Sequence, residues 1–171
     1  MKRTIIGMII GFCTGVGGGL ALKLAYEAVT FQPYNWGDNH PVVVNCYGEE
    51  FSEAQFLRAI DYWTIKGHTV AFYEQNPPPS VCETEGHLEG FIILRKAEWG
   101  ELSSSTLAVT KRWTSFDRMK GAVIKFKAGT QNLQWINEHE LGHALGYTHV
   151  EEDGHIMHPQ HHKMEGKFWI P

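Results

Sequence analysis

Three histidines and a glutamate in the C-terminal third of the chain have a spacing that can hold and use a metal ion. His139, Glu140 and His143 fall within one predicted helix, and His149 follows six residues later. Four residues turn a helix by about 400°, so the imidazoles of His139 and His143 project from nearly the same face. Gly146 can take a positive φ, end the helix and return the chain, which brings His149 to the same point.

The chemistry predicted for this set is hydrolysis. Three neutral His ligands suit Zn²⁺ and leave a fourth position open for water. Zinc lowers the pKa of such a water towards about 7 and polarises a scissile carbonyl. Glu140 is rotated by about 100° from His139 along the helix, so it can act as general base without binding the metal. The residues therefore predict one catalytic zinc ion.

The segment from His139 to His149 resembles the metzincin signature, His-Glu-x-x-His-x-x-Gly-x-x-His, with Gly146 at the glycine position. A second element also resembles the family, because Met157 lies in His-Ile-Met-His-Pro and looks like the Met-turn beneath the zinc ligands. Its distance from His149 and the Met-x-Pro order are similar to matrixin-like members. Pro159 stands where astacin-like members have a Tyr, so the resemblance implies no Tyr ligand.

The resemblance implies a zinc-dependent endopeptidase with an α+β, zincin-like fold, in which a mixed twisted sheet packs with two main helices. It also implies an edge strand that binds the substrate as an added strand. This strand is expected at Leu107 to Thr110, with Leu107, Ala108 and Val109 binding the substrate. After the Met-turn, His158 and Pro159 are expected to bind substrate and, together with Gln160, to form part of the wall of the specificity pocket. The chain ends soon after Met157, so a reduced C-terminal part is expected.

Hydrophobic periodicity places the elements that must position these residues. Strands are predicted over residues 41–47, 68–74, 88–94, 106–110 and 120–127, and helices over 52–66 and 133–145. This order predicts one catalytic domain over residues 40–171, with the zinc motif on the second helix. A linker is predicted over residues 26–39, because Pro33, Gly37 and Asp38 break regular structure.

The first 25 residues are predicted to be a transmembrane anchor or a signal segment. Residues 4–22 carry no charge and can span a bilayer as a hydrophobic helix, after a basic start at Lys2 and Arg3. The length of this run favours a retained helix, whereas the small residues Gly19 and Ala21 on either side of Leu20 favour signal cleavage. A glycine stripe on one helix face favours helix–helix association, and it comprises Gly7, Gly11, Gly15 and Gly19. Either alternative places the catalytic domain outside the cytoplasm.

Composition limits the partners. The formal net charge is −4, so no polybasic surface for nucleic acid is expected. Cys46 and Cys82 can form one disulfide in an oxidising compartment, and two free buried thiols are the alternative. The additional histidines after the zinc motif are interpreted as solvated tail residues rather than a second metal site; these are His155, His158, His161 and His162.

Two other functions remain open from the sequence. The protein can be a non-catalytic, zinc-stabilised component of an assembly that is associated with a membrane or a particle. It can also be a zinc hydrolase that acts on cell-wall peptides. Glu140 argues against the first alternative, because a purely structural zinc site needs no general base.

Overall fold

A five-stranded mixed sheet forms the centre of the computed structural model, which describes residues 31–32 and 34–171. Its strands are β1 (Val42–Asn45), β2 (Phe72–Glu74), β3 (Phe91–Lys96), β4 (Ala108–Ser115) and β5 (Arg118–Phe126). Their spatial order is β2-β1-β3-β5-β4, and all neighbours are parallel except β4 and β5. β4 therefore forms one edge of the sheet.

Two main helices pack together on one face of this sheet. The first, α1 (Glu53–Thr64), begins where the Ser52 hydroxyl accepts a hydrogen bond from the backbone N–H of Gln55 at 3.4 Å and so caps the helix. A short helix, α2 (Pro79–Cys82), follows β2, and α3 (Ile136–Ala144) carries the predicted zinc motif. The Trp63 indole N–H donates to the Glu138 carbonyl at 2.7 Å and ties α1 to α3. The predicted α+β fold with a mixed sheet and two main helices is confirmed.

A disulfide joins Cys46, just after β1, to Cys82 at the end of α2. The two cysteines are separated by 36 residues in sequence. In the chain-entropy view, a cross-link of that span stabilises the fold by about 3–4 kcal/mol. Of the two alternatives that the sequence left open, the structure contains the disulfide.

The segment predicted as a linker, residues 26–39, packs onto the domain in much of its described part. Phe31 and Trp36 are buried in the main core, and Tyr34 packs against it. The Trp36 indole N–H donates to the Ala144 carbonyl at 2.9 Å, and the backbone of Asn35 bonds to Asp117 in the turn between β4 and β5 and to Met119 in β5. Three aromatic residues outweigh the neighbouring chain breakers, because burying them removes a large apolar area from water.

The His-rich tail is also more ordered than its composition predicts. β6 (Gly154–His155) and β7 (Met164–Lys167) pair as a small second sheet, with a 3₁₀ turn at His161–Lys163 between them. His155 is fully buried, and its Nδ1 accepts from the Met157 backbone N–H at 2.9 Å. The interpretation as solvated histidines is therefore wrong for His155 and His158, which are both buried.

The predicted hydrophobic helix over residues 4–22, with its glycine stripe, lies outside the described residues. Among residues 31–32 and 34–171, no helix combines the length and the apolar character that crossing a bilayer requires.

Candidate active site

α3 and the loop after it bring the three predicted ligands together. His143 Nε2 lies 3.1 Å from His139 Nε2 and 3.1 Å from His149 Nε2. Two nitrogens bound tetrahedrally at 2.0–2.1 Å from one zinc ion are roughly 3.3–3.4 Å apart. The three side chains thus offer one ligand atom each to a single point, which is close to the spacing that zinc requires.

The hydrogen bonds of the other ring nitrogens show why a cation fits here. His139 Nδ1 donates to the Ile156 carbonyl at 2.8 Å, and His143 Nδ1 donates to the Tyr147 carbonyl at 2.9 Å. Since a carbonyl only accepts, the proton of each neutral ring lies on Nδ1 and the lone pair lies on Nε2. Two lone pairs at 3.1 Å repel each other unless a cation lies between them.

Burial keeps these rings neutral. It lowers the pKa of His139 to about 4 and holds the pKa of His143 well below its usual value. The pKa of His149, the most exposed of the three, is also lowered by burial. Neutral imidazole is the form that binds metal. Because burial keeps the rings neutral, they need not lose a proton to bind zinc near neutral pH.

Gly146 makes the turn that delivers His149. Its φ is +107°, and a Cβ at this position would lie 1.9 Å from the Tyr34 carbonyl oxygen. The next residues are held by the segment predicted as a linker, because the Thr148 N–H donates to the Phe31 carbonyl at 2.8 Å. Both the conformation and the close backbone approach require glycine here.

We expect Gly146→Ala to lower the free energy of unfolding by about 3 kcal/mol or more, since left-handed strain adds to a backbone clash. Zinc occupancy should fall as well, because His149 moves with the turn. Gly48→Ala is the matched control: φ is +111° there, but nothing lies within 4 Å of an added Cβ. That variant should lose only about 1–2 kcal/mol and keep its zinc. Urea unfolding and metal analysis measure both, and equal losses in the two variants would contradict the role of the Tyr34 contact.

Met157 lies beneath the zinc-binding helix. It is fully buried, and a Cβ at Gly142 would lie 2.4 Å from its sulfur. The Met157 carbonyl accepts from the Val150 N–H at 3.0 Å, one residue after His149. Met157 thus contacts the helix that carries two of the ligands, and its carbonyl bonds to the loop that carries the third.

Glu140 lies on α3 between the first two ligands, and its carboxylate is held by a hydroxyl from the edge strand. Thr110 Oγ1 donates to Glu140 Oε2 at 2.6 Å. Burial raises the pKa of Glu140 to about 7, and the Thr110 hydrogen bond opposes that rise. A carboxylate in this setting is fixed in direction and lies among the groups that line the cleft, as a general base must.

Because Thr110 orients the base, we expect Thr110→Val to lower kcat about 10-fold, the loss of one hydrogen bond to a charged group. Thr110→Ser keeps the hydroxyl and should restore kcat to within about threefold of wild type. Steady-state kinetics with one peptide substrate measure both variants. If Ser fails to restore what Val removes, the residue acts through packing rather than through its hydroxyl.

A cleft of about 920 Å³ runs between β4 and the zinc-binding residues. The main-chain carbonyl of Leu107 accepts from the Lys127 N–H at 2.9 Å, so the backbone of Leu107 faces inward, towards the β5 side. Backbone direction alternates along an antiparallel strand, so Val109 also faces β5, whereas Ala108, Thr110 and Arg112 turn their backbone groups to the open edge. The register shift of this pair comes only after Trp113.

The structure places four of the five predicted substrate residues on the cleft. Leu107, Ala108, Val109 and Pro159 line it, whereas His158 is 1% exposed and does not. Thr110, at the end of the predicted edge strand, and Gln160, in the predicted pocket wall, also line it. Other lining residues were not predicted from the sequence, and they include Arg112, Ile136, His161 and Met164. Arg112 lies beyond the predicted end of the strand.

The comparison with known families agrees with this geometry. The sequence profile of the matrixin family, a peptidase family, matches residues 49–170. This range contains the two main helices, most of the sheet, the three histidines and the tail through β7. A search among curated proteins found no match.

Proposed function

Because this chain belongs to the matrixin family of zinc-dependent metallopeptidases, we propose that it is an endopeptidase whose general base is Glu140. The observation that carries the proposal is the juxtaposition of three converging imidazoles with a carboxylate held beside an open strand edge. A metal site kept only for stability has no use for either feature.

His139, His143 and His149 would hold the zinc ion, and Met157 and Gly146 would support them. When bound, zinc supplies a Lewis acid that polarises the scissile carbonyl and makes water acidic. Glu140 takes the proton of the attacking water and passes it to the leaving amine. The Thr110 hydroxyl keeps the carboxylate oriented during both transfers, because it donates to the Oε2 oxygen.

The substrate would bind as an additional strand on β4. The outward backbone groups of Ala108, Thr110 and Arg112 can each pair with an extended peptide. A strand added at this edge lies in the cleft beside α3, so its peptide bonds pass the zinc-binding residues. Pairing through backbone groups accepts many sequences, so selectivity must come from the side chains that line the cleft.

A peptide library with acetylated and amidated ends tests the proposal. The zinc-loaded protein should cut such peptides internally, and a chelator should abolish the cleavage. Mass spectrometry of the products locates each cut. Cleavage of cell-wall fragments but of no peptide would replace the endopeptidase with the cell-wall hydrolase. A zinc-loaded protein that cuts neither would have the non-catalytic, assembly function.

We further propose that the catalytic domain works outside the cytoplasm, anchored through residues 4–22 or secreted after their removal. The disulfide between Cys46 and Cys82 supports an oxidising compartment. The uncharged run and its glycine stripe support an anchor that associates with other helices. Mass spectrometry of the mature N-terminus tests this: a chain that begins near Leu22 is secreted, and one that begins at Met1 and stays in the soluble fraction contradicts both forms.

A further inference from the structure

Arg112 introduces a permanent positive charge into the cleft. It lies on the open edge of the sheet, two residues from Thr110, and its side chain shares the face of β4 that points towards α3. Among the described residues that line the cleft, it is the only Lys or Arg, and Glu140 is the only carboxylate. The cleft therefore has a single fixed positive charge, with which a negatively charged group of the substrate can pair.

The contacts of Arg112 leave most of its hydrogen-bonding capacity open. A guanidinium has five N–H donors. Within the described residues, one bond is formed, from Nη1 to the Tyr147 carbonyl at 3.2 Å, and the Tyr34 ring lies 5.6 Å from the guanidinium carbon. These contacts hold the guanidinium from one side. The remaining donors form the planar fork that binds carboxylates with two parallel hydrogen bonds.

We infer that Arg112 is a specificity-determining residue that binds a carboxylate side chain of the substrate. The inference rests on the proposed endopeptidase function. A strand rises by about 3.4 Å per residue, so Arg112 lies roughly 7 Å along β4 from Thr110, which holds the base beside the scissile bond. The preferred substrate therefore carries Asp or Glu about two residues from the cleavage site, on one side of it.

Half-burial strengthens this recognition. Arg112 is partly buried between Tyr34 and the Tyr147 carbonyl, so an ion pair formed there is screened less than one on an open surface. A neutral Gln in the substrate has the same shape as Glu but forms weaker hydrogen bonds with a guanidinium. We expect kcat/KM to differ about 10-fold between two peptides that differ only in this residue.

Paired peptides test the inference. Glu is placed at each of three positions on either side of one cleavage site, and each peptide has a Gln twin. Both ends are blocked, so the side chain supplies the sole carboxylate, and a second series with free C-termini measures any terminal contribution. The zinc-loaded wild-type protein should prefer Glu about 10-fold at one position. Arg112→Gln should bring that ratio close to one, and Arg112→Lys should keep part of it.

Lys111→Gln is the matched control, because it removes one positive charge from the neighbouring position. Lys111 is exposed and lies over the Trp113 ring, with its Nζ 5.1 Å from the centroid, on the opposite face of β4. It should leave the Glu-to-Gln ratio unchanged. The ratio is taken within each variant, so a general loss of zinc or stability cancels.

The outcomes separate this inference from the function on which it rests. Cleavage of neutral peptides with no Glu preference, or a preference that survives Arg112→Gln, overturns the role of Arg112 and leaves the endopeptidase intact. An enhancement found only with free C-termini also overturns the side-chain role and assigns the carboxylate to the chain end. A zinc-loaded protein that cleaves none of the peptides removes the endopeptidase function itself.

Discussion

Glu140→Gln should lower kcat by about 10²–10⁴-fold, the contribution typical of a positioned general base. The amide has the same shape as the carboxylate, and its oxygen can still accept from the Thr110 hydroxyl. It cannot take a proton from water at neutral pH, so the loss falls on the chemical step rather than on binding. Steady-state kinetics on a blocked peptide should therefore show a large change in kcat with a small change in KM.

The same variant should keep its zinc and its fold. Glu140 is 4% exposed, and removing a buried charge is not expected to destabilise the protein, because burial already disfavours the ionised form. Glu49→Gln is the matched control, since that glutamate is exposed near the start of α1 and should retain wild-type activity. A Glu140→Gln protein that contains zinc and cleaves peptides at the wild-type rate would falsify the assignment of the base.

The zinc ligands were predictable from sequence because one helix fixes their geometry. The spacing between His139 and His143 determines their relative direction wherever the helix lies in the fold. His149 was predictable because a glycine at position 146 can take the positive φ that ends the helix and returns the chain, and it does so in the structure. Local rules therefore account for the metal site, although nothing in the spacing reveals the carbonyls that fix the tautomers of the two helical ligands.

The partners from distant parts of the chain were not predictable. Thr110 reaches Glu140 because β4 is the edge strand beside α3, and that relation depends on the strand order of the whole sheet. Phe31 falls within the predicted linker, yet its carbonyl accepts a hydrogen bond from the Thr148 N–H, in the turn before His149. A sequence pattern records the local preference of each residue, whereas these contacts arise from tertiary packing.

In the tail, composition predicts the wrong environment for two histidines. A cluster of histidines has the composition of a solvated segment, so His155 and His158 were interpreted that way. In the structure, His155 lies between the Met157 N–H and the Trp169 carbonyl and serves as a buried hydrogen-bonding bridge. Composition gives the average environment of a residue type, and the His155 side chain departs from it because both of its ring nitrogens find partners.

His143→Ala should abolish zinc binding and lower activity at least as much as loss of the base. His143 is the central ligand, because its Nε2 lies 3.1 Å from the ligand atoms of both other histidines. Without it, two imidazoles remain, and two ligands hold zinc far more weakly than three. Metal analysis after dialysis should give one zinc per chain for wild type and nearly none for the variant.

The loss of zinc binding should also remove the stabilisation that zinc gives, because a metal that binds only the folded state stabilises it by mass action. At free zinc 1,000-fold above its dissociation constant, the gain is about 4 kcal/mol. Added zinc should therefore raise the melting temperature of apo wild type and leave His143→Ala unchanged. His40→Ala is the matched control, because that histidine is exposed before β1 and should respond to zinc as wild type does. An equal zinc response in His143→Ala would mean that the stabilising ion binds somewhere other than the three converging imidazoles.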